Sequence, residues 1–139
     1  MNSPPQTRSM WLPGGAASVD AQGRPVLVGG ECRACHTRMF PKTTVCCACM
    51  SEDVADAPLP SEGTLYSFTQ VHVGPAQWNK PLVVGYVDLP DGVRLFSHLR
   101  NSAALAIGGP VHLTLGQVGT SAEGEAITTF MFAAGEQPQ

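Results

Sequence analysis

Apolar and polar residues alternate through the second half of the chain, and a period of two predicts strands. In GTLYSFTQVHV (63–73), Tyr66, Phe68 and His72 fall on one face, and Leu65, Val71 and Val73 on the other. PLVVGYVDL (81–89) is a richer apolar run whose Gly85 suggests a bend or bulge. Asp91–Gly92 is a hairpin signal leading into VRLFSHL (93–99). NSAALAIGG (101–109) reads as one short helical turn closed by glycines. PVHLTLGQV (110–118) alternates with Val111, Leu113 and Leu115 inward, SAEGE (121–125) is a turn, and AITTFMFAA (126–134) is the last strand. Five short strands with a helical insert after the third suit a small Greek-key barrel of the OB type; a five-strand sandwich piece is the alternative.

The first half reads differently. Residues 1–24 are polar and rich in proline and glycine, which predicts an extended arm. Trp11 and Leu12 stand out there, as anchors on the body of the chain or on another subunit. PVLVGG (25–30) is a strand entering CRACHTRMFPKTTVCCAC (32–49), and Met39, Phe40 and Pro41 make a short return strand. Strand, knuckle, strand, knuckle is the order of a zinc ribbon. The expected organisation is mostly β: an arm (1–24), a zinc ribbon (25–50), an acidic, proline-bearing linker (51–62), a five-stranded OB-type barrel (63–134) and a frayed tail (135–139).

Cys32, Cys35, Cys46 and Cys49 form two C-x-x-C pairs with ten residues between them. Each pair offers two thiolates from one tight loop, and two such loops supply the four sulfurs of a structural zinc site. A disulfide pair or a redox C-x-x-C would compete, but a redox motif sits in a βαβ pattern, and none follows here. Rubredoxin-type iron uses the same four thiolates. Glycine often follows the second cysteine of a knuckle, where the backbone needs positive φ. Here His36 and Met50 stand there; histidine tolerates that region better than methionine does. Cys47, inside the second knuckle, reads as a small filler, a free thiol or a ligand able to swap with its neighbours.

Composition adds limits. Only 14% of the 139 residues are charged, which suggests a surface partly covered by a partner. All five cysteines lie in one 18-residue window, so a metal in a reducing compartment is favoured over secreted disulfides. The N-terminus lacks the apolar core of a signal peptide, and no apolar run approaches the ~18 residues that span a bilayer. A cytoplasmic, soluble protein is expected. The net charge is −3, against the basic balance of nucleic-acid binders. Arg24, Arg33, Arg38 and Lys42 do gather near the metal module, as a solvated surface or a patch for phosphates.

These features together resemble a known family: proteins that join a rubredoxin-like zinc ribbon to a C-terminal OB-fold and associate with thiolase-type enzymes. The resemblance spans roughly residues 25–133. It rests on the paired knuckles, MFP (39–41), GTLYSFTQVH (63–72), PLVVGYVDLPDG (81–92) and LAIGGPVHL (105–113). It implies a non-catalytic accessory subunit that docks on a thiolase, thiolase-like aldolase or ketoacyl synthase in a hetero-oligomer and helps form the acyl-CoA channel. Family contexts include archaeal acetoacetyl-CoA and hydroxymethylglutaryl-CoA formation, steroid side-chain breakdown, phloroglucinol acylation and the benzylsuccinate route of toluene degradation. The sequence departs from the pattern at the knuckle glycines, and the family's N-terminal helix is not evident.

No catalytic residue is expected. His36, His72, His98 and His112 stand without a visible nucleophile and base, no phosphate-binding glycine loop occurs, and a four-thiolate metal has no open position. For substrate or partner contact the candidates are Trp78 and Lys80 in GPAQWNKP (74–81), with Arg94 and Arg100 behind them. A plain surface loop with Trp78 folded onto the barrel is the competing reading of that segment. The rival function is a single-stranded nucleic-acid-binding OB module, which needs stacked aromatics and a basic groove. Aromatics are 6%, and only Lys80, Arg94 and Arg100 are basic after the ribbon, so nucleic acid is not the expected partner. A zinc-dependent assembly factor without a small ligand is a third reading.

Overall fold

A computed structural model describes residues 17–19, 22, 24–100 and 103–134. Among these there are nine strands and no helix: β1 (Ala17–Val19), β2 (Pro25–Cys32), β3 (Arg38–Met39), β4 (Val54–Pro58), β5 (Glu62–Val71), β6 (Leu82–Asp88), β7 (Arg94–Leu99), β8 (Pro110–Thr120) and β9 (Ala126–Ala134). The expected anchors Trp11 and Leu12 and the tail lie outside the described residues.

Strand β2 is the spine of the N-terminal unit. Its first residues pair with β1, and Val28–Cys32 pairs antiparallel with β4. On its other edge Gly30 and Glu31 face Met39 and Arg38 of β3. The segment expected to be a linker is therefore corrected: residues 51–62 contain β4. Alternating Val54, Asp56 and Pro58 satisfy a strand as well as a loop, and only the pairing with β2 decides it. Three residues, Leu59 to Ser61, separate β4 from β5.

Strands β5 to β9 close a barrel in the order β5-β6-β7-β9-β8. Antiparallel pairs join all neighbours except β7 and β9, which run parallel through His98–Met131 and Leu99–Phe132. Closure removes sheet edges, which a five-stranded sandwich piece would leave open. Leu65, Val87, Leu95 and Phe132 are buried at the centre, and Leu27 and Leu59 from the N-terminal unit join the same cluster. Gly85 has a packing reason: a Cβ there would overlap the Ser67 carbonyl oxygen of β5. The bulge it hinted at sits on that neighbour, between Leu65 and Ser67.

Three expectations need correction. Residues 103–109 form two turns, not a helical turn, with Gly108 at φ +85° just before Pro110. Val73 is exposed, because β5 ends at Val71. Leu115 is 39% exposed although Val111 and Leu113 are buried. Beyond His112, β8 leaves β5 and its ladder continues with β9, with a bridge to Trp78 only further on at Gly119, so Leu115 lies where β5 no longer covers the strand. No helix among the described residues is long and apolar enough to cross a membrane.

Candidate metal centre and barrel face

The two knuckles are built alike. The amide of His36 donates to the Cys32 carbonyl at 2.8 Å, and that of Met50 to the Cys46 carbonyl at 3.0 Å. The next turn closes with Cys32 N–H donating to Thr37 and Cys46 N–H to Ser51. Those tight turns force positive φ on the residue after the second cysteine: 65° at His36 and 68° at Met50. Glycine's absence from these sites has not changed the backbone, and the side chains bear the strain. Met50 is 75% exposed, so it returns little packing. Met50→Gly should therefore stabilise the metal-loaded chain by about 1 kcal/mol, read as a higher urea midpoint with an unchanged slope.

The knuckles bring Cys32, Cys35, Cys46 and Cys49 together, with their sulfurs all within 4.8 Å of one another. Cys32 and Cys49 sulfurs are 3.5 Å apart, and Cys35 and Cys46 sulfurs 3.6 Å. Tetrahedral Zn–S bonds of about 2.3 Å require sulfurs roughly 3.8 Å apart. A disulfide requires about 2.05 Å, and all five cysteines are free. Cys32 and Cys46 are buried while Cys35 and Cys49 face outward. Cys47 is exposed and outside the four-sulfur group, so it is not a buried filler.

Amide and hydroxyl donors favour thiolates here. The Cys35 amide, then that of Ala34, hold the Cys32 thiol below its ordinary range. The Thr37 hydroxyl and amide bring Cys35 down to about 6. At Cys49 the Ser51 amide also favours the thiolate, but the Cys32 and Cys35 sulfurs beside it prevail and push the thiol up to about 12. Four thiolates cannot share this space unless a cation sits among them. The soft, closed donor set fits a structural metal ion, and it leaves no position for substrate.

The N-terminal unit is fixed to the barrel by Arg38. Its Nε donates to Glu31 at 2.8 Å, and its Nη1 reaches Asp91 in the β6–β7 turn at 3.2 Å and the Pro58 carbonyl at 3.3 Å. This guanidinium holds the Glu31 carboxyl below its usual range. Two residues on, the Phe40 ring meets Phe130 of the barrel edge-on, with centroids 5.8 Å apart.

The four candidate contact residues separate. Trp78 is half-buried and packs with Leu82 against Val118, Ile127 and Met131, so it is folded onto the barrel. Arg94 makes a two-pronged pair with Asp88 at 2.6 and 3.0 Å and lies 3.6 Å above the Tyr66 ring. Lys80 and Arg100 line one cavity of about 370 Å³ that Arg94 does not reach. Sequence reasoning missed the exposed edge-to-face pair Tyr86–Phe96, centroids 5.2 Å apart. Its signal was two aromatics at polar positions of alternating strands. Of the histidines, His112 is buried within β8, and beside His98 the Ser97 hydroxyl donates to the His98 carbonyl oxygen.

Residues 56–115 match the family model described as ChsH2, C-terminal OB-fold domain. The benzoylsuccinyl-CoA thiolase subunit BbsA of Thauera aromatica is 34% identical over 114 residues, which is 81% of this chain and 79% of that protein. BbsA of Geobacter metallireducens is 32% identical over 111 residues, 79% of this chain and 75% of that one. Among solved structures, a chain of the Ltp2-ChsH2(DUF35) aldolase matches with a TM-score of 0.63 and 31% identity, covering 81% of this chain and 86% of the other. The paired knuckles, the closed five-stranded barrel and similarity over four-fifths of the chain lead to one conclusion: this chain belongs to the ribbon-plus-OB-fold DUF35 family that includes BbsA and ChsH2.

Proposed function

We propose that this chain is a non-catalytic accessory subunit of a thiolase-type acyl-CoA enzyme. The observation that carries this reading is similarity over four-fifths of the chain to a named thiolase subunit. The chain offers no nucleophile–base pair of its own among the described residues, so the partner supplies the chemistry. The metal is zinc, held by Cys32, Cys35, Cys46 and Cys49, and its role is structural. Elemental analysis should give one zinc per chain, and a visible iron–thiolate absorption would exclude that assignment. We assign the protein to the cytoplasm, a reading supported by clustered cysteines that suit metal binding in a reducing compartment.

The ribbon acts as a docking element, and the barrel lines part of the acyl-CoA channel through Lys80 and Arg100. Arg94 and Trp78 drop out of the substrate-facing set, since Asp88 and the barrel core already hold them. The substrate is an acyl-CoA formed in the breakdown of an aromatic or steroid compound, in keeping with the thiolase and aldolase relatives. Tyr66, Tyr86 and Phe96 could have stacked bases, but the nearby cation Arg94 is neutralised, so a basic groove is missing there. A tagged pull-down from the native host, read by mass spectrometry, tests the reading. A thiolase-like subunit in near-equal amount is the expected result. Recovery of nucleic acid alone, or of nothing, would sink it.

A further inference from the structure

Among the described residues, Lys80 and Arg100 differ from Arg33, Arg38, Lys42 and Arg94 in having no carboxylate to neutralise them. Arg33, Arg38, Lys42 and Arg94 each meet a carboxylate. Lys80 instead donates to the Pro75 carbonyl at 2.9 Å, and Arg100 to the Leu115 carbonyl at 3.4 Å. Among the described residues neither meets an acid. In a chain of net charge −3, two such cations around one cavity of about 370 Å³ make a local positive site. His98 lines the same cavity, and its buried Nδ1 has no hydrogen-bond partner. Burial holds this imidazole below its ordinary pKa, so it is neutral at pH 7. A buried ring nitrogen without a partner is costly unless something fills the gap.

The surroundings say what else such a ligand must carry. Met131 contributes an apolar wall. Strand register places Arg94 opposite Asp88, Phe96 opposite Tyr86, and His98 opposite Val84 on one face of the β6–β7 pair. The Tyr86–Phe96 pair therefore lies one step along the face from His98. At about 3.3 Å per residue, Phe96 to Arg100 spans roughly 13 Å.

We infer that this cavity binds an oxyanion borne on an apolar body, the anion on Lys80 and Arg100 and the body along His98 toward Phe96. An acyl or aryl carboxylate and the phosphorylated nucleotide end of CoA share that chemistry. The link to acyl-CoA rests on the proposed function, whereas the binding itself belongs to this chain alone. The full, metal-loaded chain is titrated with phenylpropionate and, separately, with adenosine bisphosphate, followed by amide NMR. Saturable shifts at Asn79, Lys80, His98, Arg100 and Gln117 with either ligand are expected, and the tighter ligand identifies the source. Lys80→Gln and Arg100→Gln should each weaken it about tenfold, or ~1.4 kcal/mol, with Lys42→Gln unchanged. Arg100→Lys, which keeps the charge, should recover part of the loss, and well-dispersed spectra show that each variant is folded. No saturable shifts with either ligand, or affinity indifferent to Lys80 and Arg100, would overturn the inference. Because no partner is present in this titration, its failure is distinct from an empty pull-down.

Discussion

Cys46→Ser should leave the chain without stoichiometric metal and with its ribbon unfolded. Cys46 is fully buried, its sulfur lies 3.6 Å from that of Cys35, and it accepts the Ala48 amide at 3.3 Å. Little else holds this part of the chain. The buried cluster around the site is Cys32, Met39 and Cys46 with Val54 against it, and two of those three buried residues are ligands. Structural zinc in small peptides contributes about 10–16 kcal/mol, far more than so small a core can supply. The expected readout is loss of the metal by elemental analysis and loss of amide dispersion for residues 32–51. A chelator should do the same to the unaltered chain. Metal uptake must also displace thiol protons, since Cys49 is held up at about 12 without the cation. Affinity therefore falls with acidity, and falls more steeply below about pH 6, where Cys35 also takes up a proton. Full retention of metal by the serine variant would remove Cys46 from the ligand set.

Much of this molecule was legible in its sequence because its signals are local. Two C-x-x-C pairs define a ligand set without any knowledge of the rest of the chain. Alternation marks each barrel strand, since a half-buried strand must show a period of two. What stayed hidden depends on pairing between distant segments. Residues 54–58 look like a linker until β2 supplies hydrogen bonds to them. Leu115 has the right parity for the core, but the sheet no longer covers its face at that point. The contact residues divide for the same reason. The Asp91–Gly92 hairpin signal brings β6 and β7 together but leaves open the register that sets Asp88 opposite Arg94, and nothing near Lys80 says that Arg100 shares its cavity. Met50 is the reverse case: the local rule asks for glycine, and the metal loop overrides the rule.

The contact least visible in sequence is the seam between ribbon and barrel, and it predicts the second large effect. Arg38→Ala combined with Phe40→Ala should cost about 4 kcal/mol and should make the two units unfold separately. Most of the cost is Phe40, whose half-buried ring packs on Phe130; full Phe→Ala truncations run about 3–5 kcal/mol. The rest is the guanidinium, which leaves Glu31 and Asp91 facing each other across the seam without their shared cation. Partly exposed ion pairs of this kind add about 1 kcal/mol or less. The unaltered chain should show one transition in calorimetry that a chelator lowers as a whole, because Arg38 and Phe40 add to Leu27 and Leu59 in tying the N-terminal unit to the barrel. The double variant should show two, with only the first sensitive to the chelator. That distinction bears on function. On the proposed function, a docking ribbon sets the position of a channel wall only if the two move as one body, and Arg38 and Phe40 add to Leu27 and Leu59 in making them do so. A variant that still binds its metal and its cavity ligand, yet no longer supports turnover by the assembled enzyme, is the result this coupling predicts. A single chelator-sensitive transition in the double variant would show that Leu27 and Leu59 suffice without the seam.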